Sequence, residues 1–88
     1  MKIFTTQFKP RAQKEMAWFM KHDKTLYRKI QELLEDIQLH PYTGLGKPEA
    51  LKYELSSYWS RRITIDHRLV YKIEGDTIII IASCKFHY

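Results

Sequence analysis

The sequence predicts an α+β fold in which two helices pack on one face of a mainly antiparallel, twisted sheet. Three observations predict it. Leu26, Ile30, Leu33, Leu34 and Ile37 fall at offsets 0, 4, 7, 8 and 11, the spacing of a single helix face. The last third of the chain alternates with a period of two, and Gly75-Asp76 interrupts it where a two-residue hairpin turn belongs. A short strand-like run, from Lys2 to Phe8, precedes the first helical segment.

Taken in order, Pro10 closes the first run and a helix is expected from about Arg11 to His22, with Ala12, Met16, Phe19 and Met20 at helical spacing. Asp23 is placed to cap a second helix, which His40-Pro41 ends. Its Lys and Glu residues read as a solvated surface. Residues 42–48 hold Gly44, Gly46 and Pro48, an arrangement too poor in glycine for a phosphate-cradling loop. The loop reads instead as the support that delivers Glu49 to the edge of a strand over residues 50–55. A meander should follow, with strands over 59–65, 68–73 and 77–86. If Trp59, Ile63, Leu69, Tyr71 and Ile73 all face the helices, the first connection holds an odd number of residues, and Arg62 and Arg68 share the other, basic and open face. The hairpin at Gly75-Asp76 then puts Ile78, Ile80, Ala82, Cys84 and Phe86 on the core side and His87 on the arginine side. An ideal strand carries His87 about 13 Å past the residue opposite Arg68, so the tail must turn back if the two are to meet.

At 88 residues the chain should form one domain, residues 1–88, and its 44% hydrophobic and 14% aromatic content suits a folded one. Cys84 is the one cysteine, so no internal disulfide can form and a reducing, cytoplasmic setting is expected. No apolar run approaches the ~20 residues of a membrane span, and the start lacks the marks of a secretory signal. The net charge of +5 favours a polyanionic partner over a membrane.

The basic residues gather beside one carboxylate. Lys47, Glu49 and Lys52 are followed by Arg61, Arg62 and Arg68, and the chain stops at His87-Tyr88. Metal-free RNA cleavage needs a base for the ribose 2′-hydroxyl, cations for the pentacoordinate phosphate and an acid for the leaving 5′-oxygen. Glu49, the Arg/Lys group and His87 have the chemistry to fill those roles. Plainer readings compete: a loop glutamate is usually solvated, and Arg61-Arg62 on a strand usually gives one edge charge and one ion pair. Cys84-x-x-His87 has ligand-like spacing, but zinc wants three or four protein ligands and no second cysteine exists, so no metal is expected.

Four motifs, Gly46-Lys47-Pro48-Glu49-x-Leu51-Lys52, Trp59-Ser60-Arg61-Arg62-Ile63, His67-Arg68-Leu69-Val70-Tyr71 and Cys84-x-x-His87-Tyr88, closely resemble the YoeB/Txe toxins of the RelE superfamily, in content, order and spacing. The match covers the second half of the chain; the first half agrees only in its strand–helix–helix pattern. The resemblance implies a RelE-like fold and a type II toxin acting as a ribosome-dependent mRNA endonuclease without metal or organic cofactor. It implies Glu49 as general base, His87 as general acid and Arg68 as the main phosphate stabiliser. Arg62 and Lys52 would be secondary phosphate contacts, and Tyr88 would orient the RNA. It also implies a cognate antitoxin of the YefM/Axe kind, contact with operator DNA only through that antitoxin, and the pairing of many relatives as homodimers. Two alternatives stay open: a ParE-like toxin of the same fold that binds a protein such as DNA gyrase, and a non-catalytic RNA-binding module.

Overall fold

The computed structural model describes residues 4–82. In chain order these form β1 (Thr5–Phe8), α1 (Pro10–His22), α2 (Lys24–Leu39), β2 (Glu49–Ala50), a 3₁₀ turn (Tyr53–Leu55), β3 (Trp59–Arg62), β4 (Arg68–Glu74) and β5 (Thr77–Ala82). The strands make one sheet in the order β1-β5-β4-β3-β2. All neighbours run antiparallel except β1 and β5, which are parallel.

Pro10 starts α1 because its fixed φ and missing N–H suit a first-turn position. Between the helices, the Asp23 carboxylate accepts the backbone N–H of Leu26 at 3.1 Å, the expected cap. The apolar stripe of α2 then buries Ile30, Leu33 and Ile37 against the sheet. Ala12 and Phe19 join from α1, and Ile63, Leu69, Tyr71, Ile78 and Ile80 from the sheet side. Full burial of side chains of this size stabilises by about 1.5–3 kcal/mol each. Gln38 on α2 ties down the start of β1: its side-chain carbonyl accepts from Phe4 N at 2.7 Å, and its amide donates to Phe4 O at 2.9 Å.

Four expectations need correction. The strand over 50–55 is only a two-residue bridge, Glu49–Ala50, followed by a 3₁₀ turn. β3 ends at Arg62 rather than continuing to residue 65, because Thr64 folds its hydroxyl back to accept from Asp66 N and His67 N. The alternation along β5 breaks: Tyr71 pairs with Ile80 but Val70 pairs with Ala82, so the chain holds one extra residue there, a bulge. Ala82, expected on the core side, is thereby carried to the far face, with Leu51 and Val70. Finally, the far face is not simply open. Leu55, Tyr58 and Ile81 pack against those three residues as a second small cluster. The positions of Cys84, Phe86, His87 and Tyr88 lie outside the described residues.

Candidate functional site

The site is built where the three antiparallel strands at the β2 edge meet. Glu49 pairs with Ser60, Ser60 with Val70, and Arg62 with Arg68. Residues paired across antiparallel strands share a face, as do residues two apart on one strand. Glu49, Ser60, Arg62, Arg68 and Val70 therefore line one face, opposite the helices, as the odd-numbered connection requires. Glu49 lies diagonal to Arg62, a separation of ~7–8 Å between backbones, which the two side chains can close around a phosphate. Lys47 and Lys52 flank Glu49 in sequence, and both are exposed.

The pairing of Arg62 with Arg68 is electrostatically unfavourable by itself. Like charges directly opposite on a sheet destabilise it by roughly 0.2–1 kcal/mol. Arg68 is moreover half-buried, and its Nη1 is buried with no hydrogen-bond partner among the described residues. A guanidinium donor left in that state costs about 1–3 kcal/mol. An anion held between the arginines would remove both penalties. The turn that aims Arg68 is well fixed: the His67 carbonyl accepts from Ile63 N at 2.9 Å and from Thr64 N at 3.2 Å. The His67 ring sits edge-on to Phe19 at 5.6 Å, in keeping with a turn residue.

Arg61 belongs elsewhere, and its expected phosphate contact is a correction. Being one residue out of phase with Arg62, it points to the helix side and is 0% exposed. All five of its N–H donors are used. Nε donates to the Tyr71 hydroxyl at 3.1 Å, Nη1 to Asp36 Oδ2 at 2.6 Å and to Leu45 O at 3.1 Å, and Nη2 to the carbonyls of His40 and Thr43. The Tyr71 hydroxyl in turn donates to Pro41 O at 2.7 Å. This one guanidinium therefore gathers the whole loop between α2 and β2. The loop closes on Gly46, whose carbonyl accepts from Arg62 N at 2.6 Å. Gly46 has φ +78°, and a Cβ there would lie 2.9 Å from Leu33 Cδ2 and 3.0 Å from Arg62 O. No other residue fits without displacing the strand that carries Arg62.

Sequence reasoning assigned the polar face of α2 to solvent and so missed Asp36. Its i+4 neighbour His40 at the helix end, and the Gly-rich loop beyond, were the only signal that a carboxylate there could meet a strand arginine. Burial works against the charged form of Asp36, yet the Arg61 hydrogen bond, the Leu45 N–H and the Arg61 charge outweigh it, and its pKa lies below the ordinary 3.8. Because the folded value is the lower one, this contribution to stability is complete above pH 3.8 and disappears as pH falls through the folded pKa. Acid unfolding followed by circular dichroism should show it: Asp36→Asn, less stable near neutrality, should lose less on further acidification than the wild type. Equal slopes would remove Asp36 from the acid transition.

Tyr71 is the buried counterpart. Desolvation raises its hydroxyl pKa and the Arg61 hydrogen bond opposes that rise. On the far face Lys72 pairs with Glu74 at 2.7 Å and lies 5.0 Å from the Tyr58 ring, which covers one side of the second cluster. Among the described residues no three His, Cys, Asp or Glu side chains gather as a metal centre requires, and no helix is long and apolar enough to cross a membrane.

Comparison with known proteins agrees with this frame. The family model of the YoeB-like toxins of bacterial type II toxin–antitoxin systems matches residues 8–88. The toxin YoeB of Synechocystis sp. is 50% identical over 74 residues, 84% of this chain and 85% of the relative. Among solved structures, the YoeB dimer from Staphylococcus aureus superposes with a TM-score of 0.87 at 44% identity, covering 97% of this chain and 98% of that one. YoeB in the heterotetrameric YoeB–YefM toxin–antitoxin complex of the same organism gives 0.86 at 44%, with the same coverage. With a family match over nearly the whole sequence, a shared fold and, over 84% of its length, 50% identity to a curated relative, the chain belongs to the YoeB-like toxins of type II toxin–antitoxin systems.

Proposed function

We propose that the chain is a ribosome-dependent mRNA endonuclease that cuts at the decoding site by general acid–base chemistry. The observation that carries this reading is the pair of directly opposed arginines, one with a buried nitrogen that has no partner among the described residues, on the face that also bears Glu49. Glu49 takes the proton of a ribose 2′-hydroxyl. The 2′-oxygen bonds to the adjacent phosphorus, Arg68 with Arg62, Lys52 and Lys47 holds the added negative charge, and the bond from phosphorus to the 5′-oxygen breaks. His87 supplies the proton to that leaving oxygen and Tyr88 orients the RNA. Both lie outside the described residues and take these roles from the family resemblance. The products are a 2′,3′-cyclic phosphate and a free 5′-hydroxyl, and neither a metal nor an organic cofactor enters the scheme.

In the cell the chain is held by a cognate antitoxin of the YefM kind, whose acidic segment suits the net charge of +5. Operator DNA is reached through that complex, and the free toxin pairs as a homodimer in the cytoplasm. The test is cleavage of a defined message on programmed ribosomes. Wild type should cut near the decoding site, and Glu49→Gln should cut ~10²–10⁴-fold more slowly with its melting curve unchanged. Growth arrest with messages left whole would favour a toxin that acts on a protein target instead.

A further inference from the structure

Tyr53 is an aromatic side chain that stands outside both apolar clusters of the described residues. It is 91% exposed, while Leu55 and Tyr58, its neighbours in the turn and just after it, are packed into the second cluster. Its backbone has φ +59°, in the left-handed region. A bulky residue held there costs on the order of 1–3 kcal/mol, which glycine would avoid and asparagine would reduce. A strained and solvated aromatic is disfavoured on both counts unless something binds its ring. The strained position also sits beside the chemistry. Tyr53, Lys52, Leu51, Ala50 and Glu49 line one open cleft of about 250 Å³. The cleft thus joins a carboxylate, a cation and a flat apolar ring along five consecutive residues.

We infer that Tyr53 is a stacking platform for the nucleobase on the 5′ side of the cut, the one whose ribose presents its 2′-hydroxyl to Glu49. The inference rests on the nuclease reading above and adds a base subsite to it. A single-stranded base is a flat, largely apolar plate flanked by an anionic backbone, and it matches an exposed ring flanked by Lys52. Stacking of this kind is tolerant of base identity, so the subsite contributes grip on an unpaired strand more than a strict sequence code. Unpaired bases that can splay onto aromatic rings are the usual targets of RNA-binding surfaces.

The experiment crosses two changes. Tyr53→Asn removes the ring but keeps a residue that tolerates the left-handed backbone. A message with an abasic nucleotide immediately 5′ of the cut removes the base. On programmed ribosomes, Tyr53→Asn should lower kcat/KM about 5- to 100-fold on the normal message, whereas Tyr53→Trp and Tyr53→Phe should stay within about twofold. On the abasic message, wild type should drop by a similar factor and Tyr53→Asn should drop little further, because only one stacking contact exists to be lost. Unchanged cutting by Tyr53→Asn, or losses that multiply fully, would overturn the platform while leaving the nuclease intact. A message left whole by wild type would overturn both. Loss confined to capture by the antitoxin would assign the ring to a peptide and refute the base subsite.

Discussion

Replacing Arg61 by Met should cost about 3–5 kcal/mol of folding stability, the penalty for removing one partner of a buried charge pair. The side chain is fully buried and the substitution strands Asp36, Tyr71 and the carbonyls of His40, Thr43 and Leu45 together. Set against a typical total of ~5–15 kcal/mol, that loss approaches global unfolding at body temperature, and the melting temperature of a chain this short should fall on the order of 20 °C. Arg61→Lys should recover only part of it, because an ammonium lacks the planar fork that reaches both sides of the loop. Urea unfolding of the three proteins measures the series. A Met variant within about 1 kcal/mol of wild type would show that the loop stands without its guanidinium. A Lys variant equal to wild type would show that charge alone suffices.

The adjacent strand position should behave in the opposite sense. Arg68→Met keeps the apolar stem but deletes the buried guanidinium nitrogen that has no partner among the described residues and ends the like-charge pairing with Arg62. Stability should therefore stay level or rise by up to about 1–3 kcal/mol. Ribosome-dependent cleavage should nonetheless fall in kcat by roughly 10²–10³-fold, the usual effect of removing one preorganised donor from a developing oxyanion. Arg68→Lys should keep a fraction of the rate, since it retains charge without the bidentate geometry. A residue whose removal stabilises the fold and abolishes turnover is a site residue. If Arg68→Met unfolded the chain and left specific activity per folded molecule intact, its role would be structural, like that of Arg61.

These two arginines show where local pattern was sufficient and where it was not. Period-two alternation from Trp59 and the odd count between Arg62 and Arg68 placed both on one face, because strand parity propagates through hydrogen-bonded registers, whereas Glu49 joins that face through its pairing with Ser60. The same parity put Arg61 with Trp59 and Ile63 on the helix side, yet its charge invited a surface reading. Only its meeting with Asp36, 25 residues earlier in sequence, makes burial tolerable. No window of sequence contains both groups. The bulge at Ile81 was equally invisible, since a run of four isoleucines presents the same side chain to either face and hides a slip of one residue. Tyr53 gave no warning either: a left-handed backbone angle, here at the first residue of the 3₁₀ turn, is not what a tyrosine prefers.

The sequence by itself determined the helices, the strand parity and the family, because these depend on short-range periodicity and on motifs carried in contiguous residues. Tertiary structure decided which charge is buried, where the ladder slips and which aromatic is left standing in solvent. Each of those depends on free energies shared between segments far apart in the chain, where a carboxylate on a helix and a guanidinium on a strand are tolerable only together.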